Sequence, residues 1–127
     1  MLSILCWRRF MAYGSFEDLE AWQRACRLAV ELCRLLKDCR DYGLRDQMTR
    51  AAISIASNIA EGAERGSPAD YTRLLYIAKG SAAELRTQVY IAAKIGDILP
   101  EKKVQELVSE LKELSNMLYG LIKSLKN

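Results

Sequence analysis

The sequence predicts an all-α fold, an antiparallel up-down-up-down bundle of four helices that assembles into a symmetric ring. In four segments of the 127-residue chain, apolar residues recur at spacings of three and four, which is the period of an amphipathic helix. Short loops marked by glycine or proline separate the segments, and short loops place consecutive helices antiparallel. No segment shows the apolar and polar alternation that is typical of a strand.

The first helix is predicted over residues 16–40. Ser15 followed by Asp18 is a helix-start pattern, and a turn signal begins at Asp41. The apolar residues form two neighbouring stripes that cover about half of the circumference, more than the ~100° that one core face needs. This width predicts more than one packing partner. One stripe consists of Trp22, Cys26, Ala29, Cys33 and Leu36, and the other of Ala21, Ala25, Leu28, Leu32, Leu35 and Cys39.

The four cysteines show no spacing typical of a disulfide framework or a metal site. No CxxC pair occurs, and on a helix Cys26 and Cys33 are separated by a rise of roughly 10.5 Å, beyond the ~6.8 Å limit for bridged Cα atoms. We therefore interpret Cys6, Cys26, Cys33 and Cys39 as small buried hydrophobic residues in a reducing compartment.

The second helix is predicted over residues 44–63. Its central stretch, residues 51–60, contains no charged residue, while Arg50 and Glu61 bracket it. A helix without a solvated face is buried on nearly all sides, which a single small bundle rarely achieves for one of its helices. The stretch therefore predicts the association of several subunits.

Two further helices follow. Ser67 caps the third, Pro68 is its first residue and Gly96 ends it, while Pro100 opens the fourth. Both carry apolar residues at spacings of three and four that we expect to face the core. In the third helix these are Tyr71, Leu74, Leu75, Ala78, Ala82, Leu85, Val89 and Ala92, and in the fourth Val104, Leu107, Leu111, Leu114, Leu118, Leu121 and Leu125.

The composition limits the possible functions. The chain has no histidine, which excludes Ser/His/Asp and Cys/His catalytic triads and zinc sites that use histidine. We expect no catalytic residue, no metal and no cofactor. The 19 basic and 16 acidic residues give a net charge of +3, which permits an anionic partner without requiring one.

The first residues are predicted to be a loosely ordered extension, residues 1–14, ahead of a bundle domain over residues 15–127. Arg8 and Arg9 follow a short apolar run, whereas a secretion signal places its positive charge first and has a longer apolar region. No apolar run approaches the ~20 residues of a membrane span, so we expect a cytoplasmic protein without a membrane partner. The alternative for the first residues is an anchor that docks on a partner through Leu2, Ile4, Leu5 and Trp7.

Polar residues form one stripe on the second helix and one on the third. The stripes consist of Gln47, Arg50, Ser54, Asn58 and Glu61, and of Ser81, Glu84 and Gln88. Because buried polar groups must be paired, we interpret the stripes as a structural network in which Arg50 meets Glu84 or Glu61. On this interpretation Glu84→Ala would lower the stability by several kcal/mol. The alternative is a ligand or catalytic pocket that uses Glu61 and Glu84 as acid and base or as metal ligands.

Two groups of side chains are candidates for binding nucleic acid. They are Arg24, Arg27 and Arg34 on the first helix, and Lys79, Arg86 and Tyr90 on the third. In one subunit they could form ordinary solvated faces, because mixed charges are normal there. A ring of subunits would repeat them as a continuous surface suited to phosphates, with Tyr90 available for stacking.

Three strings of the sequence resemble one known family. They are FEDLEAWQ at residues 16–23, YGLRDQMTRAAISIASNIAEGAERGS at residues 42–67 and LLYIAKGSAAELRTQ at residues 74–88. The strings resemble the 23S rRNA intervening-sequence protein family, a family of four-helix bundles. The residues that look like its motif are Gln47, Arg50, Ser54, Asn58, Glu61, Gly62, Ser81, Glu84 and Leu85. This family is similar in turn to the accessory variability determinant of diversity-generating retroelements, a small basic pentameric barrel that associates with a reverse transcriptase and its RNA.

The resemblance implies a ring-forming bundle, a homopentamer, with no known catalytic activity. We therefore expect a non-enzymatic oligomer that binds RNA or DNA through a basic surface, as an accessory to a retroelement reverse transcriptase. The alternatives are a structural oligomer encoded by an rRNA intervening sequence and a small-ligand binder that uses the polar stripes. The genomic neighbourhood distinguishes the two family contexts, because an adjacent reverse transcriptase gene selects the retroelement role.

Overall fold

The computed structural model describes residues 15–126. The predicted extension at residues 1–14, with its alternative role as an anchor, lies outside the described residues, as does residue 127. The described chain contains no strand and forms a 3-10 turn, Phe16–Asp18, and four helices. The helices are α1 (Glu20–Leu35), α2 (Tyr42–Glu64), α3 (Pro68–Ile95) and α4 (Glu101–Leu125). The predicted all-α class and four helices are confirmed.

Helix α1 is shorter than predicted at both ends. The Ser15 N–H donates to Asp18 Oδ2 at 3.3 Å, but this start pattern closes only the 3-10 turn, and the extended backbone of Leu19 separates that turn from α1. At the other end, the N–H groups of Lys37 and Cys39 donate to carbonyl oxygens three residues back, at 3.3 and 3.0 Å. This tighter hydrogen bonding ends the α-helix.

Helices α2 and α3 begin at side-chain caps. Asp41 Oδ1 accepts a hydrogen bond from the Leu44 N–H at 3.1 Å, so α2 begins slightly earlier than predicted. Ser67 Oγ accepts from the Asp70 N–H at 3.1 Å and starts α3 where the sequence predicts. Helix α3 ends at Gly96, whose φ of 89° is unfavourable for residues with a side chain.

The core lies between the four helices. Helix α1 packs against α2 and α4, and α3 packs against the same two helices, so α1 and α3 lie diagonally opposite each other. All the residues predicted to face the core in α3 are buried, while in α4 Val104 and Leu121 are half-buried and the others are buried. The largest fully buried side chains are Tyr71, Leu32, Leu36, Met48, Ile55, Ile59, Leu75, Leu85, Leu107, Leu111, Leu114 and Leu118.

The prediction that the cysteines are buried is wrong for Cys33, which is exposed, while Cys26 and Cys39 are half-buried. The reason is that the core side of α1 is narrower than two full stripes. It consists of Ala21, Ala25, Leu28, Ala29 and Leu32, and Leu36 follows directly after the helix. Burial raises the pKa of the Cys26 thiol. Cys6 lies outside the described residues.

The junction of α2 and α3 is closely packed at Gly62. A Cβ atom at this position would lie 3.0 Å from Tyr71 Cδ1 and 3.1 Å from Leu74 Cβ. The glycine therefore lets the end of α2 approach the start of α3, and burial at this contact raises the pKa of Tyr71 to about 12.

Candidate functional site

A short hydrogen-bond chain joins α2 to α3. The Ser54 and Ser81 hydroxyl oxygens lie 3.0 Å apart, and Asn58 Nδ2 donates to Ser54 Oγ at 2.9 Å and to the Ser54 carbonyl oxygen at 2.8 Å. Ser81 is buried, and the other two residues are half-buried. The structure thus brings together three residues of the two predicted polar stripes, and their bonds link the helices side by side.

The charged residues of the stripes are not paired as predicted. Arg65 Nη2 lies 2.6 Å from Glu61 Oε1, because Arg65 follows Glu61 by one helical turn and reaches it within α2 and its cap. Arg50 and Glu84 are exposed, and neither forms an ion pair with a residue in the range 15–126. The predicted pairing of Arg50 with Glu84 or Glu61 is therefore wrong for the single chain.

The remaining polar residues differ in burial. Gln47 is exposed, while Gln88 is 6% exposed and its Oε1 accepts no hydrogen bond from the described residues. Within residues 15–126, no three His, Cys, Asp or Glu side chains are grouped so that they could hold a metal ion. The stripes thus provide a hydrogen-bonded link between α2 and α3, and the buried side-chain oxygen of Gln88 lies about two helical turns farther along α3.

Because Glu84 is exposed, the expected effect of Glu84→Ala on stability is small. We expect the free energy of unfolding of the single chain to change by less than about 0.5 kcal/mol, as for other surface substitutions. Ser81→Ala is the comparison, because loss of its hydrogen bond to Ser54 should cost about 1 kcal/mol. Urea unfolding at several protein concentrations measures both. The exposed position of Glu84 would be contradicted if Glu84→Ala lowered the free energy of unfolding by more than about 2 kcal/mol at every protein concentration.

The Arg24 guanidinium, predicted to bind nucleic acid, is held by acidic residues of α4. Arg24 Nε donates to Glu110 Oε2 at 2.9 Å, Nη2 contacts Glu110 Oε1, and Nη2 also lies 3.3 Å from Glu113 Oε2. The hydrogen bonds to Glu110 raise the pKa of Arg24, and its side chain is only 19% exposed. Arg24 therefore connects α1 to α4 and has little free charge to offer a phosphate.

The other two cations of α1 border a groove. Arg27 and Arg34 line a groove of about 500 Å³ between α1 and α4, together with Glu31 and Lys103. Lys103 Nζ lies 3.8 Å from Glu31 Oε2, so the charges of the groove are partly balanced. Arg27 and Arg34 themselves form no ion pair with the described residues.

Lys79, one of the three predicted residues of α3, lies beside basic and aromatic residues of α4. Lys79 Nζ lies 5.9 Å from the centre of the Tyr119 ring, and Lys123 Nζ lies 5.5 Å from the same centre. Lys126 Nζ lies 5.8 Å from the centre of the Tyr76 ring and donates to its hydroxyl at 3.3 Å. We call this surface the α3–α4 basic strip and define it by Tyr76, Lys79, Arg86, Tyr90, Tyr119, Lys123 and Lys126.

The strip carries positive charge without acidic partners. None of its four cations forms an ion pair with a residue of the described chain, from Ser15 to Lys126. Arg86 and Tyr90 follow Lys79 at spacings of seven and eleven, which places all three on one side of α3. The contributions of Tyr76 and of α4 to this surface were not predicted from the sequence. The spacing of Tyr119, Lys123 and Lys126 at four and three was the available signal.

The two predicted groups of nucleic-acid-binding residues are not brought together. Arg24, Arg27 and Arg34 lie on α1, whereas Lys79, Arg86 and Tyr90 lie on α3, which is diagonally opposite. One ligand cannot contact both groups on the same face of a single chain. The α3–α4 basic strip is therefore the stronger candidate site.

The four helices and the polar link between α2 and α3 define the protein as an all-helical bundle. Residues 17–120 match the family model described as the 23S rRNA-intervening sequence protein. Because the match spans most of the chain, the protein belongs to this family. The family predicted from the three sequence strings is confirmed.

A solved structure has the same fold. It is the crystal structure of a protein with unknown function from the S23 ribosomal protein family of Bacteroides thetaiotaomicron VPI-5482. The two structures align with a TM-score of 0.74 and 21% sequence identity, and the alignment covers 81% of this chain and 95% of that chain. At this identity the likeness shows the fold alone.

Comparison with curated proteins gives no match. Among the helices of residues 15–126, none has the length and apolar content needed to cross a membrane.

Proposed function

We propose that this protein is a non-enzymatic, oligomeric four-helix bundle that binds RNA or DNA through the phosphates. The observation that carries the proposal is the α3–α4 basic strip, where Lys79, Arg86, Lys123 and Lys126 lie beside exposed tyrosines without an acidic partner. Elsewhere on the bundle, cations such as Arg24 and Lys103 are already paired with glutamates. The strip thus offers four cations that form no ion pair within residues 15–126.

The expected mode of binding is electrostatic. Lysine and arginine side chains that contact phosphates release counterions from the nucleic acid, and this supplies affinity without base specificity. A single α-helix can enter the major groove, which is about 12 Å wide, but the strip lies across two helices packed side by side. We therefore expect contacts with the backbone and little reading of base edges in a duplex.

Residue pairs between neighbouring helices support the antiparallel up-down-up-down arrangement. Arg24 lies near Glu110 and Glu31 lies near Lys103, so the numbering rises along α1 while it falls along α4. The same relation holds between α3 and α4, where Lys79 meets Tyr119 and Tyr76 meets Lys126, and between α2 and α3. This arrangement presents the strip along the bundle rather than at its end.

Exposed apolar residues support assembly of several subunits. Ile77, Ile91 and Ile95 are exposed on the edge of α3 that also carries Ser81 and Gln88, and Ile53 is exposed on α2. We call these four isoleucines the isoleucine face. Large apolar side chains exposed in a single chain often mark contacts with other chains, and a symmetric contact between copies would cover these isoleucines. The unpaired Arg50 and Glu84 lie on the same helices and could then pair between subunits, and the family resemblance favours a homopentamer.

Charge reversal on the strip tests the proposed function. We expect Lys79→Glu/Arg86→Glu to weaken binding at least about tenfold, and by a similar factor for a structured RNA and for an unrelated duplex, because phosphates are common to both. Fluorescence anisotropy with labelled nucleic acids measures the dissociation constants. The matched control is Lys37→Glu/Arg40→Glu, which makes the same change in net charge at exposed residues after α1. Absence of binding at low salt, or an equal loss in the control, would contradict the proposal.

A further inference from the structure

We propose that the α3–α4 basic strip binds single-stranded nucleic acid with bases stacked on its tyrosine rings, above all on Tyr119. This inference rests on the proposed function, because it names the form of nucleic acid that the same surface takes. It adds a contact that phosphate binding alone does not provide. Stacking on an aromatic side chain tolerates every base, since each base has a π-face.

Tyr119 has the surroundings that such a contact needs. Its side chain is 47% exposed, and the ammonium groups of Lys79 from α3 and Lys123 from α4 lie 5.9 and 5.5 Å from its ring centre. A nucleotide joins a flat base to a charged phosphate. Both ammonium groups lie over the ring, so a base that stacks on Tyr119 would displace a lysine from the ring face. Its phosphates would then stay within reach of the two lysines, which have no acidic partner in residues 15–126.

Tyr76 is a second exposed ring of the strip with a lysine ammonium group near it. It is 45% exposed, and Lys126 lies over its ring and donates to its hydroxyl. Tyr90, which is 48% exposed, adds a third ring beside Arg86 on α3. From Tyr76 to Tyr90 the rise along α3 is roughly 21 Å, so the strip has room for several nucleotides. An alternation of rings and cations along one path is typical of surfaces that bind single strands.

The geometry favours a single strand over a duplex. In a duplex the base faces are stacked on one another, so a duplex can offer the strip only phosphates and sugars. An unpaired strand can offer phosphates to the lysines and base faces to the rings. Stacking strengthens binding by about 5- to 150-fold per base, so a single strand should bind more tightly than a duplex of equal length.

Substitutions at Tyr119 test the inference. We expect Tyr119→Ala to weaken binding of a short unstructured RNA oligonucleotide at least about fivefold and to leave binding of a duplex of equal length unchanged. Tyr119→Phe keeps the ring and should stay within about twofold of the parent protein. The matched control is Tyr42→Ala, because Tyr42 is also exposed, with the Arg45 guanidinium 4.9 Å from its ring centre, but lies at the start of α2. Fluorescence anisotropy gives the affinities, and circular dichroism confirms that each variant is folded.

The outcomes separate this inference from the proposed function. If Tyr119→Ala leaves single-strand binding unchanged, or weakens single strands and duplexes equally, stacking is contradicted. The proposed function still stands in that case provided that Lys79→Glu/Arg86→Glu weakens binding of both. If the charge-reversal variant also binds normally, the proposed function fails together with the inference. Selective loss of single-strand binding in Tyr119→Ala and its retention in Tyr119→Phe and Tyr42→Ala support the inference.

Discussion

Gly62→Ala is expected to destabilise the bundle by about 1–3 kcal/mol, the range for an atom forced into a well-packed core. The added Cβ would lie 3.0 Å from Tyr71 Cδ1 and 3.1 Å from Leu74 Cβ. Tyr71 and Leu74 are buried, so neither side chain can move aside without disturbing its neighbours. The steric cost should exceed the gain of up to about 1 kcal/mol that alanine normally brings over glycine within a helix.

Gly80→Ala is the matched control for this substitution. Gly80 also lies inside a helix, but an added Cβ there meets nothing within 4 Å, so we expect stabilisation by about 0.5–1 kcal/mol. Urea unfolding followed by circular dichroism measures both variants. Stabilisation of both, or destabilisation of both by similar amounts, would contradict the close approach of α2 and α3 at Gly62.

Ile91→Glu is expected to dissociate the proposed oligomer into chains of 14.4 kDa. Ile91 lies within the isoleucine face, and a glutamate there would place an unpaired charge in the proposed contact between subunits. In the free chain the same position is exposed, so folding should be little affected. Size-exclusion chromatography with light scattering gives the mass, and circular dichroism reports the helix content.

Val30→Glu is the control for assembly. Val30 is about as exposed as Ile91 but lies on α1, diagonally opposite α3, so its substitution should leave the oligomer intact. Dissociation by both variants would show that the isoleucine face has no special role. A parent protein with a mass near 14.4 kDa at micromolar concentration would contradict assembly itself.

The sequence predicts those elements best whose ends depend on local chemistry. Helix α3 begins at Ser67 and Pro68 and ends before Gly96 as predicted, because a cap needs only residues that are near in sequence. The ends of α1 were predicted less well. The pattern at Ser15 and Asp18 is satisfied by a 3-10 turn as well as by an α-helix, and the choice depends on packing.

The parts of the candidate site that depend on contacts between helices could not be predicted from the sequence. Periodicity identified the polar stripes, and Ser54 does meet Ser81. It could not show that Glu61 pairs with Arg65, because one acid has several basic residues within reach. Nor did it show that Lys79 approaches Tyr119, since the period of one helix carries no information about the neighbouring helix. Such pairs depend on the register between helices.

The wider biological context stays a prediction. Two roles are predicted: a partner of a retroelement reverse transcriptase, and a structural oligomer encoded within an rRNA gene. These two roles predict different neighbouring genes: a reverse transcriptase with a template repeat in the first case, and flanking 23S rRNA sequence in the second. Phosphate binding by the strip is compatible with either role, since both contexts supply RNA.

The salt dependence of binding tests the central claim, that the α3–α4 basic strip binds phosphates. For a single strand held by the four cations of one strip, the logarithm of the affinity should fall with the logarithm of the salt concentration with a slope of about −3. Lys79→Gln/Arg86→Gln removes two of these cations and should reduce the slope by roughly half. A slope near zero, or a slope that is the same in the parent protein and in this variant, would contradict the claim.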